Sequence, residues 1–200
     1  MKADTFISKY KYAIISISVL FLTFAYFSTN KGLLKPIYSK FKKRTRNIVI
    51  GDSQTPFIDN ASDSVELISK TAGDTSLWKG GQGLAWLKNA ISAYKGDKDD
   101  VKSVIISIGT NGSFNPKDDI DGLIDTLESV FPKAKLLAVQ GSWGWSHNNK
   151  NVTESQVKTY YQRFSKRGVK VLNPPIGKIE PHGNFPIYKQ IASAIEHEID

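Results

Sequence analysis

Short β-branched runs alternate along this chain with longer stretches in which apolar residues recur at three- and four-residue spacing. Residues 47–50, 75–79, 101–109, 134–141 and 169–173 read as strands, of which 47–50 is a short apolar run and 101–109 has the β-branched, apolar pattern of a buried strand. Between and after them, residues 62–72, 83–94, 118–131, 153–168 and 185–199 carry amphipathic helical stripes. In the second helix the stripe is Leu84, Leu87, Ile91 and Tyr94. Acids cluster at the start of 118–131, where they complement a helix N-terminus. Thr153 and Gln156 have capping-box spacing, and Gly168 suits the end of that helix. Five strands alternating with five helices predict a mainly parallel sheet covered on both faces. Ligands of such sheets bind beyond the carboxyl ends of the strands.

The N-terminal stretch breaks this pattern. Tyr12 to Phe27 contains no charge and is flanked by Lys9, Lys11, Lys31 and Lys35. A membrane-spanning helix needs about 17–25 apolar residues, and aromatic and lysine residues at its ends suit the interfaces. A cleaved leader is the competing reading. No Ala-x-Ala site follows, which favours an uncleaved single-pass anchor over residues 1–30. Residues 31–46 then form a basic linker, and 47–200 the folded domain. The linker's lysines and arginines would keep that domain on the cytoplasmic side by the positive-inside rule. They also suit contact with anionic headgroups, or they form a solvated spacer, so the side of the membrane stays open.

Charge supports this division. Residues 1–46 hold ten Lys/Arg and the single acid Asp4, whereas the rest holds seventeen Lys/Arg and eighteen acids. The near-neutral body lacks the basic face expected of a nucleic-acid-binding domain. The absence of cysteine excludes disulfides, thiolate metal sites and a cysteine nucleophile. The three histidines and scattered acids assemble no metal site, and no cofactor is expected.

Candidate chemistry lies where the strands end. The first strand runs into Gly51-Asp52-Ser53-Gln54, which is either an ordinary turn or the setting of a nucleophilic serine. Trp78-Lys79-Gly80-Gly81-Gln82-Gly83 can offer backbone N–H groups to an anion, Gly109-Thr110-Asn111-Gly112 offers an amide donor, and Glu180-Pro181-His182-Gly183-Asn184 offers an imidazole. A hydroxyl, donors and a base are what a serine esterase requires.

In order and spacing these four blocks resemble the SGNH (GDSL-type) hydrolases over about residues 47–199. The resemblance implies a flavodoxin-like three-layer α/β/α sandwich with a five-stranded sheet. It implies Ser53 as nucleophile, His182 as base, and an oxyanion hole formed by Ser53 N–H, Gly81 N–H (Gly83 as second choice) and the Asn111 side chain. The family's Asp three residues before the histidine is replaced by Ile179. Glu180 then orients the ring from a shifted position, or a backbone carbonyl does so and leaves a Ser-His dyad. Gln54 also replaces the aliphatic residue common after the serine. The implied substrate is a carboxylic ester, either acetylated carbohydrate or lipid-like. An O-acyltransferase and a catalytically weak glycan- or partner-binding module are the alternatives.

Other residues are less directive. Trp143 and Trp145 either stack on substrate or cap the sheet edge. Asp52 reads as a turn residue bonding local N–H groups, His147 as a solvated loop residue and His197 as an exposed helical one. The glycosylation-type triplets at Asn60, Asn111 and Asn151 are read as chance matches, since one contains the candidate Asn111.

Overall fold

The computed structural model describes residues 45–67, 76–147, 150–173, 182 and 185–199, and Thr45–Asp200 form one unit. The expected anchor and linker lie outside the described residues except for Thr45 and Arg46, and Arg46 belongs to the first strand rather than to the linker. Among those described, no helix is long and apolar enough to cross a membrane.

The elements are β1 (Arg46–Gly51), α1 (Thr55–Ala61), β2 (Glu66–Leu67), α2 (Leu84–Ser92), β3 (Val101–Ser107), α3 (Ile120–Val130), β4 (Lys135–Val139), β5 (Ser146–His147), β6 (Lys150–Asn151), α4 (Glu154–Lys166), β7 (Lys170–Leu172) and α5 (Phe185–Ile199). A 3-10 turn, Thr110–Gly112, follows β3. The main sheet has the order β2-β1-β3-β4-β7 with every pair parallel. This is the doubly wound order whose switch point lies between β1 and β3. β5 and β6 form a separate antiparallel ribbon.

The two-residue period of each strand sends alternate side chains to opposite layers. Ile48 and Ile50 of β1, Val104 and Ile106 of β3 and Ala138 of β4 pack beneath α2, α3 and α4. Val49, Ile105, Leu137, Val139 and Leu172 face the other way, onto Ile58 of α1 and Ile187, Ile191 and Ile195 of α5. The three-layer sandwich expected from the sequence is therefore present. Local signals place several ends as expected. The Asp119 side chain accepts from Gly122 N at the start of α3, and Thr153 accepts from Gln156 N at the start of α4. Gly168 lies past the end of α4 at φ +79°.

One helix and one strand differ from expectation. The helix after β1 occupies 55–61, not 62–72, because Pro56 in its first turn starts it directly after the serine turn. Glu66–Leu67 instead form the edge strand beside Ile48 and Val49, a segment too short to show a period of its own. The strand expected at 75–79 reduces to one parallel bridge between Trp78 and Gly51, while residues 68–75 lie outside the described residues.

Gly51 closes β1 at φ +140°, and a Cβ there would fall 1.8 Å from the Ser107 carbonyl oxygen. Gly51→Ala is therefore expected to cost more than about 4 kcal/mol, in the range reserved for severe steric or backbone conflict. Gly168→Ala meets open space at its own positive φ and should cost only about 1 kcal/mol. Urea unfolding of the two variants checks the contrast.

Candidate active site

The turn after β1 holds the nucleophile candidate against the rest of the sheet edge. Asp52 N donates to Ser107 O at 2.9 Å and Thr55 N to Asp52 O at 3.2 Å. Ser53 thus sits between the end of a buried strand and the start of α1. Its Oγ lies 2.7 Å from His182 Nε2, across 129 residues of chain. The two residues that the sequence named as nucleophile and base are in hydrogen-bond contact.

The other blocks converge on the same edge. Gly80 is the glycine beside Ser53: a Cβ built on it would lie 3.7 Å from Ser53 Cβ. Gly81 is exposed at φ +75° with open space around it. Among the described residues neither glycine's N–H joins a backbone hydrogen bond. Asn111 lies in the 3-10 turn beyond β3, and its Nδ2 donates to Gln82 O at 3.0 Å. One of its two amide hydrogens therefore fastens the glycine loop. Glu180 lies outside the described residues.

Two residues that the sequence left in minor roles shape the site. Gln54, the departure after the serine, donates from Nε2 to Thr110 Oγ1 at 2.8 Å and so ties the serine turn to the Asn111 turn. Its polarity in a position that is often aliphatic was the available signal. Asp52 is fully buried, and its Oδ1 accepts from Gln54 N at 3.1 Å, the local turn bond expected of it. Its burial was not legible. Desolvation pushes the Asp52 carboxyl up to about 6, against the opposing pull of hydrogen bonds from Gln54 and Thr110. Tyr161, beneath it, is held protonated by burial and by the Asp52 charge, and its hydroxyl donates to Ile108 O at 2.9 Å.

Trp143 and Trp145 are half-buried against the core under α2–α4. Trp145 Nε1 donates to Ser142 O at 3.0 Å, and its ring meets Phe114 edge-on at 6.5 Å. The backbone of His147 pairs with Lys150 in the β5–β6 ribbon, and His197 is exposed on α5.

A carboxyl whose folded pKa is raised binds its proton more tightly in the folded state than in the unfolded chain. Asp52 therefore weakens the fold as pH rises from about 4 to 6, and the penalty is constant above that. Asp52→Asn, which keeps the Oδ1 acceptor, is expected to stabilise the protein by up to about 3 kcal/mol at pH 7.5. The gain should vanish near pH 4. Urea unfolding at pH 4, 5, 6 and 7.5 measures it, and a pH-independent difference would contradict the assignment.

No family model and no curated protein matches this sequence. Solved structures do. A Streptococcus pneumonia protein named for platelet activating factor aligns with TM-score 0.55 and 13% identity, over 92% of this chain and 99% of its own. A Veillonella parvula member of the lipolytic protein G-D-S-L family aligns with TM-score 0.51 and 14% identity, over 76% of this chain and 97% of its own. At this identity the likeness establishes architecture: the chain has the fold of the G-D-S-L (SGNH) lipolytic proteins.

Proposed function

We propose that this chain is a serine esterase acting on carboxylic esters through an acyl-enzyme on Ser53. The observation that carries the reading is the 2.7 Å contact between Ser53 Oγ and His182 Nε2. Serine is a poor nucleophile without an adjacent base. In the resting enzyme Nε2 accepts from the hydroxyl, so the neutral ring carries its proton on Nδ1. Glu180 or a backbone carbonyl takes that Nδ1 hydrogen, which makes the site a triad or a dyad.

Ser53 Oγ attacks the ester carbonyl while its proton passes to Nε2. The carbonyl oxygen becomes an oxyanion, held by the N–H of Ser53, an N–H of the Gly80–Gly81 loop and the second Asn111 amide hydrogen. The protonated ring returns the proton to the leaving alcohol. Water, deprotonated by the same nitrogen, then attacks the acyl-enzyme and releases the acid. Support for the oxyanion hole comes from the approach of Gly80 to Ser53 and the tie between Asn111 and Gln82.

The substrate is an acetylated carbohydrate or a lipid-like ester. In this reading the uncharged run from Tyr12 to Phe27 and its lysine flanks tether the enzyme to a membrane.

The purified chain is expected to hydrolyse p-nitrophenyl acetate and butyrate and to take a fluorophosphonate label. Ser53→Ala should abolish labelling, and Ser53→Ala and His182→Ala should each reduce kcat at least about a thousandfold. Asn111→Ala should lower kcat by about 10²–10³ with KM little changed, as for loss of one oxyanion donor. A folded wild-type protein that neither labels nor turns over would refute the esterase reading in favour of a binding module or an acyltransferase with its own donor.

A further inference from the structure

An aromatic ring on the helix that follows the nucleophile adjoins the His182 imidazole. Phe57, four residues after Ser53 on α1, meets the His182 imidazole edge-on, with ring centroids 6.4 Å apart and planes at 63°. The Phe57 ring also stacks on Tyr188, at 5.0 Å and 26°. Tyr188 is buried on α5, six residues after His182, in the apolar cluster with Ile58, Ile187 and Ile191. His182 itself is exposed. The imidazole thus adjoins a half-buried ring that is backed by a fully packed one.

We propose that Phe57, braced by Tyr188, is a positioning residue that holds the His182 ring with Nε2 on Ser53 Oγ, an inference that rests on the serine-esterase reading for its kinetic consequence. An exposed imidazole has a broad χ2 distribution. An edge-to-face aromatic contact restricts it, because the rim of one ring is attracted to the face of the other. Phe57 touches neither substrate nor the reacting atoms in this proposal. It acts through the ring it holds, and its stack on Tyr188 couples α1 to α5.

The test compares Phe57→Leu, Phe57→Tyr and Tyr188→Leu in the full chain. Leu preserves apolar bulk without the π face, and Tyr preserves the face. Phe57→Leu is expected to lower kcat on p-nitrophenyl acetate about three- to tenfold, the factor that corresponds to one aromatic pair. KM should stay close to wild type, and the urea midpoint should fall slightly because the stack on Tyr188 is lost as well. Phe57→Tyr should restore kcat, and Tyr188→Leu should lower it in the same sense but less. Independently of turnover, the His182 ring-proton NMR signals should lose an aromatic ring-current shift in Phe57→Leu and keep it in Phe57→Tyr. Wild-type kcat and unmoved His182 signals in Phe57→Leu would overturn the proposal. A wild-type protein without turnover would refute the esterase reading, while the NMR comparison would still decide the Phe57–His182 contact.

Discussion

The parallel pairing of β1 with β3 is the constraint on which the site depends. The register runs from Asn47 opposite Ser103 to Gly51 opposite Ser107, so both strands stop at the same level. The backbones approach so closely there that residue 51 has no room for a side chain. The segments leaving the two strands, the Ser53 turn and the Asn111 turn, must therefore emerge side by side at one edge. The crevice at this switch point results from chain topology, since α1 packs on one face of the sheet and α2 on the other.

Polar bonds then fix the turns to one another. Gln54 reaches Thr110, and Asn111 reaches the glycine loop at Gln82. Helix α4 braces the same region from below. Gln156 donates to Ser113 O, Tyr160 to the Asp118 carboxylate, and Arg163 to the Pro116 and Asp118 carbonyls. The brace offsets local strain, because Ser113 and Phe114 both lie at left-handed φ, 52° and 53°. That conformation turns the Phe114 ring into the core between Gly109 and Gly141, where a Cβ on either glycine would clash with it. Glycines at the ends of two neighbouring strands thus make room for one buried ring, and the ring seats the loop that bears Asn111.

Asp52 shows how the same packing sets electrostatics. Its turn bond to Gln54 N is local and would form in many exposed loops. Its burial is not local. It comes from the sheet edge, from Thr110 and from Tyr161 of α4, and that burial raises its proton affinity.

The sequence by itself determined the layers, four of the five strand positions and four of the helices, and it marked Ser53, the 78–83 glycine loop, Asn111 and His182 as candidates. These rest on periodicity, caps and short motifs, which act within a few residues. The helix after β1 departs from the apolar spacing of 62–72 because Pro56 and the tight serine turn outweigh that spacing. The strand at Glu66–Leu67 was invisible because two residues carry no period. Only the tertiary structure decided that Ser53 and His182 touch, that Gln54 ties the first block to the third, that Gly80 is the glycine beside the serine, and that Phe57 and Tyr188 stack next to the imidazole. Each of these joins residues on different elements. Their distances depend on strand register and on how helices α1 and α5 share one face of the sheet, and no local pattern in the chain encodes that.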